Sequence, residues 1–221
     1  MSRLTLAVDT THEYGSLALV RGEELLEELP LHAPTGFAHV LYSHLAELLA
    51  RHGLKPAAID CFAAASGPGS FTGVRVGLAC VKGLAEALGK PAVAVSNLQA
   101  LATFGTAPLR AVVMDARRGE IYGAVYDAAA RLVSPEMVAP FAVWVETLPS
   151  DSRDLEFVSP DFAPFQAALA GTRFEHAPIR TVPRALAAAI ARLAARAEPQ
   201  DPAALDANYV RRSDAELLWK E

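Results

Sequence analysis

An α/β fold is what this sequence predicts, on three observations. Short aliphatic runs alternate with segments of helical periodicity. Glycine or proline breaks stand between them. An early strand–turn–strand pattern ending its first strand in Asp9 returns about a hundred residues later, around Asp115. Aspartate-ended hairpins are common, so the pattern alone leaves a true repeat and a coincidence both open.

The elements follow in order. Leu4–Asp9 is aliphatic enough for a buried strand, and Gly15 relieves the turn after it. Residues 16–21 and 23–29 return as two further strands of an antiparallel meander. Phe37–His52 repeats Val40, Leu41, Leu45, Leu48 and Leu49 along one helical side, and Gly53 with Pro56 ends it. Ile59–Ala65 is a strand, residues 70–88 a long helix, residues 92–95 a strand, and residues 97–104 a helix. Residues 111–115 and 120–127 form the second hairpin. Residues 130–180 are punctuated by proline and give no clear pattern. Thr181–Glu198 is helical, Asn208–Arg211 a short strand, and Leu217, Leu218 and Trp219 anchor the tail.

Composition narrows the function. With 52% hydrophobic and 20% charged residues, 221 residues bury a sizeable core, as one large domain or two small lobes. A net charge of −5 argues against gripping nucleic acid alone, because phosphate needs a basic field. Cys61 and Cys80 fit no metal or redox spacing and read as reduced, buried thiols. The start has no signal-peptide layout, and no apolar run approaches the ~20 residues of a membrane span. A soluble, cytoplasmic protein is expected.

The richest segment is Ser66-Gly67-Pro68-Gly69-Ser70-Phe71-Thr72-Gly73-Val74-Arg75-Val76-Gly77, joining strand to helix. Ser70 suits an N-cap, and the free amides there suit an anion. Known loop chemistries do not fit. A Walker loop needs lysine where Val74 stands. A hydrolase elbow needs its serine where Phe71 stands. A dinucleotide fingerprint needs glycine where Thr72 stands. Turned at about 100° per residue, the helix puts Val74, Leu78, Val81, Ala85 and Leu88 on one face. Arg75, Lys82 and Glu86 make a polar stripe, and Gly73, Gly77, Cys80, Gly83 and Ala87 a bare flank. Glycine inside a helix costs up to about 1 kcal/mol relative to alanine. The flank is therefore expected to receive another helix closely, from this chain or from a partner.

These residues carry a resemblance. Gly67 to Leu78 followed by Lys82-Gly83-Leu84-Ala85 closely resembles the signature of the bacterial TsaB (YeaZ) family. Leu6 to Thr10, Val95 to Ala102, Asp115 to Tyr122 and Tyr209-Val210-Arg211 are similar to its other blocks. The likeness spans most of the chain and is weakest over 130–200. It implies a two-lobed actin/Hsp70-like, ribonuclease H-like fold with a reduced second lobe, here expected as residues 1–104 and 105–221, the tail packing back on the first. It implies a non-catalytic subunit that binds a larger TsaD-like catalytic subunit and a TsaE-like ATPase. That complex places a threonylcarbamoyl group beside the anticodon of tRNAs reading ANN codons. Contact with tRNA is expected only within the complex, and a homodimer when the chain is alone. The implied partner interface is Gly67, Pro68, Gly69, Ser70, Phe71, Thr72, Gly73, Arg75, Gly77, Cys80 and Gly83. No cofactor of its own is expected, ATP or ADP entering at the interface of the complex. Phe37 stands where related sequences often have histidine, which weakens carry-over for that helix.

An enzyme of this fold needs glycine turns in its second lobe, yet after Gly123 only Gly171 remains. Catalytic relatives need paired histidines one helical turn apart. His12, His32, His39, His44, His52 and His176 contain no such pair. No catalytic or metal residue is therefore expected. Asp9, Thr10, Asp115 and Arg117 read as vestiges of a nucleotide side. Two alternatives are a small ATPase or kinase-like enzyme of the same fold, and a glycoprotease-like peptidase.

Overall fold

The structure is a computed structural model that describes residues 2–149 and 154–211. The expected anchors Leu217, Leu218 and Trp219 lie outside the described residues. The chain forms two compact units, Met1–Asn97 with Arg184–Asn208, and Leu98–Pro183 with Tyr209–Glu221. A single cut at 104/105 does not match this division. The late helix belongs with the first unit because its alanine face is spent on the first sheet.

In the first unit β1 (Leu4–Asp9), β2 (Tyr14–Arg21), β3 (Glu24–His32), β4 (Cys61–Gly67) and β5 (Ala92–Ser96) make one sheet in the order β3-β2-β1-β4-β5. β1 pairs antiparallel with β2 and parallel with β4. Every residue of β1 is buried, which an uninterrupted aliphatic run permits when both sheet faces are covered. On one face Leu6, Val8, Leu17, Leu19 and Phe62 meet α1 (Leu41–Arg51) and α2 (Phe71–Leu88). Each large aliphatic side chain so buried contributes about 1.5–3 kcal/mol.

α6 (Ala187–Arg196) lies against β1, β2, β4 and β5. It has no capping side chain of its own. Instead the amides of Leu186 and Ala187 donate to Ser16 Oγ at 3.1 and 2.9 Å, and that of Ala188 donates to Glu28 Oε1 at 2.9 Å. A hydroxyl and a carboxylate borrowed from the sheet thus satisfy the helix's first free donors and its positive end. The sequence pattern began this helix six residues too early; Ile179–Thr181 is β10. Likewise α1 starts at Leu41, since Phe37 turns into the core at 2% exposure. Gly15 makes room for it: a methyl there would stand 2.8 Å from Phe37 Cζ.

The second unit repeats the plan. β6 (Leu109–Asp115), β7 (Glu120–Asp127), β8 (Leu132–Pro140), β9 (Leu155–Ser159) and β10 make a sheet in the order β10-β9-β6-β7-β8. Numbered from its own first strand, this is the order of the first sheet reversed on the page, with the same parallel and antiparallel pairs. The hairpins around Asp9 and Asp115 are therefore equivalent, and the fold is the actin/Hsp70-like α/β class. The stretch 130–180 holds β8, α4 (Phe141–Glu146), β9 and α5 (Ala163–Gln166). Its core is aromatic, with Phe141, Trp144, Phe157, Phe162, Phe165 and Phe174 in mutual contact. Gly123 on β7 admits the indole, because a methyl there would lie 2.6 Å from Trp144 Cε2. The reduction of this unit is local: α5 has 4 residues where its counterpart α2 has 18.

Glu156 is buried in this unit at 3% exposure. Its carboxylate accepts from the amides of Thr106 and Ala107 and from Arg180 Nε at 3.1 Å. Burial pushes its carboxyl up, but those amides and the Arg180 guanidinium outweigh burial and hold it below the ordinary value.

Candidate functional site

The glycine-rich segment meets the first hairpin at the carboxyl end of β1. Asp9 is 1% exposed, and its Oδ1 accepts from the Thr11 amide at 3.0 Å and the Thr11 hydroxyl at 2.7 Å. Asn97, also fully buried, donates from Nδ2 to Thr11 Oγ1 at 2.8 Å. Its Oδ1 accepts from the Gly67 amide at 3.1 Å. A continuous polar chain thus ties the strand-end aspartate to the loop. Gly67 has φ 104°, a region that favours glycine, and is followed by a cis bond to Pro68, itself buried. The Ser70 amide donates to the Thr11 carbonyl at 2.7 Å. Ser70 then caps α2, its Oγ accepting from the Gly73 amide at 3.3 Å. Gly89 closes the helix in the left-handed conformation.

The single bare flank expected across Gly73, Gly77 and Gly83 does not exist. The space beside Gly73 is taken by the Thr10 carbonyl, and a methyl at Gly77 would stand 2.6 Å from Thr10 Oγ1. Gly69 is equally committed, 2.6 Å from the Thr11 carbonyl by the same measure. Thr10 also donates its hydroxyl to the Gly73 carbonyl at 2.8 Å. The physical reason is that β1 runs under the first turns of α2, and only glycine lets the hairpin backbone come that near. Cys80 is 2% exposed, so it too faces inward. At Gly83, by contrast, a methyl would meet no described atom within 4 Å.

The face α2 leaves open is turned away from that flank. Phe71, Thr72, Arg75, Ala79, Gly83 and Glu86 are exposed, while Val74, Gly77, Leu78, Cys80, Val81 and Ala85 are buried. Ala79 and Gly83, one turn apart, give this exposed face a small-residue centre. Phe71 is 42% exposed and lies under the Arg75 guanidinium, 3.7 Å from its ring centroid. Lys82 turns aside, Nζ donating to the Ala203 carbonyl at 3.3 Å. On α1, Tyr42 is 61% exposed, with its hydroxyl beside Cys80. Burial pushes the Cys80 thiol up to about 11, with Tyr42 drawing it partway back. Tyr42 and Ala79 escaped the sequence reading. Ala79 is about 160° from Val81 at 100° per residue, so centring the helix on its apolar arc finds it. Nothing marked Tyr42 beyond its neighbourhood in α1.

Asp115 and Arg117 lie in the second unit, at its own first hairpin. Both are exposed, and Asp115 Oδ1 accepts from the Arg117 amide at 2.8 Å. This is the same aspartate-to-second-amide turn that Asp9 makes. Arg211 supports it, donating from Nη1 to the Ala116 carbonyl at 2.7 Å and pairing with Glu120. Residues Asn208 to Arg211 are not a strand; the Asn208 amide donates to the Ser66 carbonyl at 2.8 Å. Among the described residues no three His, Cys, Asp or Glu side chains converge as metal ligands. No helix among them is long and apolar enough to cross a membrane.

Comparison with known proteins agrees with this architecture. The family model described as TsaD, tRNA N6-adenosine threonylcarbamoyltransferase, matches residues 29–204. A Bacillus subtilis protein named tRNA threonylcarbamoyladenosine biosynthesis protein TsaB is 29% identical, over 98% of this chain and 97% of its own. A Haemophilus influenzae protein of the same name is 40% identical over 55% of this chain and 53% of its own. A Pseudomonas aeruginosa crystal structure, described by similarity to the peptidase YeaZ, superposes with a TM-score of 0.80 at 27% identity. It covers 95% of this chain and all of that one. With the duplicated sheet and the glycine-rich α2 loop, these likenesses settle the family: the chain belongs to the TsaB (YeaZ) branch of the threonylcarbamoyltransferase family.

Proposed function

We propose that this protein is a TsaB-type accessory subunit of tRNA threonylcarbamoyladenosine biosynthesis, docking on a larger, related TsaD-like catalytic subunit through the exposed face of α2. The observation that carries the reading is the strip Ala79–Gly83, small at its centre and bordered by exposed Phe71, Arg75 and Tyr42. Gly83 is a helix glycine with no neighbour among the described residues within 4 Å of where a methyl would sit. A closely approaching helix from another chain offsets its propensity cost. Large exposed aromatics at the margin are the side chains that anchor interfaces. The same face serves a homodimer when the larger subunit is absent.

The subunit works without catalysis of its own, in the cytoplasm. Asp9 and Thr10 support this, since Asp9 Oδ1 is engaged by the Thr11 amide and hydroxyl and the Thr10 hydroxyl by the Gly73 carbonyl, bonds that hold the loop together. The kinase-like and peptidase alternatives gain nothing from that arrangement. tRNA and a TsaE-like ATPase join at the level of the assembled complex, where any ATP or ADP is bound.

The test is reconstitution. Threonylcarbamoyl transfer to tRNA is measured with the larger subunit alone, this chain alone, and both. Transfer that needs both chains supports the reading; turnover by this chain alone rejects it.

A further inference from the structure

Thr11 is the junction between the first hairpin and the glycine-rich segment, and its polar groups are all in use. It is fully buried. Its amide donates to Asp9 Oδ1 at 3.0 Å, and its carbonyl accepts from the Ser70 amide at 2.7 Å. Its hydroxyl has three polar neighbours: Asp9 Oδ1 at 2.7 Å, Asn97 Nδ2 at 2.8 Å and His12 Nδ1 at 3.1 Å. A hydroxyl owns one proton and two lone pairs, so three neighbours saturate it.

Each neighbour has one possible role. Asp9 Oδ1 is an acceptor, since it also receives the Thr11 amide, so the single hydroxyl proton points at it. Asn97 is oriented from its other end: its Oδ1 accepts from the Gly67 amide at 3.1 Å, which turns Nδ2 to Thr11 as a donor. One lone pair of Thr11 Oγ1 is left, and half-buried His12 faces it. An unprotonated Nδ1 would set two lone pairs against each other across 3.1 Å. Nδ1 must therefore donate. An unconstrained histidine favours its proton on Nε2, so the hydrogen-bond network selects the less common tautomer.

We infer that His12 carries its proton on Nδ1 and is a positioning residue for the start of α2. The bonds run without a gap from His12 Nδ1 to Thr11 Oγ1, from the Thr11 carbonyl to the Ser70 amide, and from Ser70 Oγ to the Gly73 amide. Phe71 and Arg75, which border the exposed strip of α2, follow directly on Ser70 in the first turns of the helix. The consequence for docking rests on the function proposed above; the tautomer does not.

Long-range proton–nitrogen NMR of the isotope-labelled intact protein, at a pH where the ring is neutral, reads the tautomer directly. His12 should show a protonated Nδ1 and a bare Nε2; a proton on Nε2 alone overturns the inference. Variants test the positioning role. An asparagine side chain sets its amide nitrogen where Nδ1 stands, and a glutamine side chain sets it nearer Nε2. Hydrogen exchange of the Gly67 and Ser70 amides should stay near wild type in His12→Asn and quicken about tenfold in His12→Ala and His12→Gln. Exchange in β6 and β7 should be unchanged in all three. His12→Asn behaving like His12→Ala overturns the role. Affinity for the TsaD-like subunit should fall about threefold or more in His12→Ala and recover in His12→Asn. A wild-type chain that fails to bind that subunit rejects the docking reading, while tautomer and exchange still decide the role of His12.

Discussion

Thr10 donates its hydroxyl to the Gly73 carbonyl at 2.8 Å while its own carbonyl fills the space a side chain on Gly73 would need. One residue at a strand end thus fixes the start of α2 from two directions. The same threonine lies 2.6 Å from where a methyl on Gly77 would sit. Gly77→Ala must therefore displace a β-branched side chain and strain its hydrogen bond. The expected result is a monomer destabilised by about 1–3 kcal/mol by urea unfolding. Wild-type stability in that variant would show that the contact yields freely.

Gly83 should behave in the opposite way. Its backbone is helical and no described atom lies within 4 Å of where a methyl would sit, so Gly83→Ala gains helix propensity without meeting any of them. Stabilisation of the isolated chain by about 0.5–1 kcal/mol is expected, seen as a rise of about 2 °C in melting temperature. Two glycines of one helix, six residues apart, are then separated by the sign of the same substitution.

Glu156 sets an acid limit on the second unit. Its folded carboxyl sits below the ordinary value of 4.5, so its stabilisation is complete above that value and lost as pH falls through the folded one. Wild-type unfolding free energy should drop on acidification below about pH 4.5, with a shallower slope in Glu156→Gln. At neutral pH that variant, which replaces a charged acceptor of the Thr106 and Ala107 amides by a neutral one while Arg180 stays partly solvated, should cost about 1–3 kcal/mol. Equal slopes for the two proteins would remove Glu156 as the cause.

Both thiols should be inert in the native protein. Cys61 and Cys80 are buried, burial raises both, and Cys80 reaches about 11. Iodoacetamide at neutral pH is expected to label neither before unfolding, as read by mass spectrometry. Rapid labelling of Cys80 in the folded chain would contradict its placement behind Tyr42.

Much of this was legible in the sequence, and the failures have physical causes. The strands of the first unit are aliphatic runs buried on both faces, a pattern that length and composition reveal. α2 announced itself through Ser70 and Gly89, residues whose only tasks are to start and stop a helix. The sheet of the second unit was hidden because Pro135 and Pro140 sit on its edge strand β8, where a missing amide costs little. α6 began late because its cap comes from Ser16 and Glu28, some 160 to 170 residues earlier in the chain. Spacing assigned the glycines of α2 to one flank. It could not tell which of them the chain's own hairpin would occupy, because that depends on Thr10, more than sixty residues away.

The proposed docking face is tested most directly by sedimentation velocity of this chain with the larger TsaD-like subunit proposed as its partner, comparing wild type with Ala79→Leu/Gly83→Leu. The double variant should stay folded as a monomer and fail to co-sediment, because two leucines fill the strip where the second backbone must approach. Co-sedimentation at wild-type affinity would place the partner on another surface of the protein.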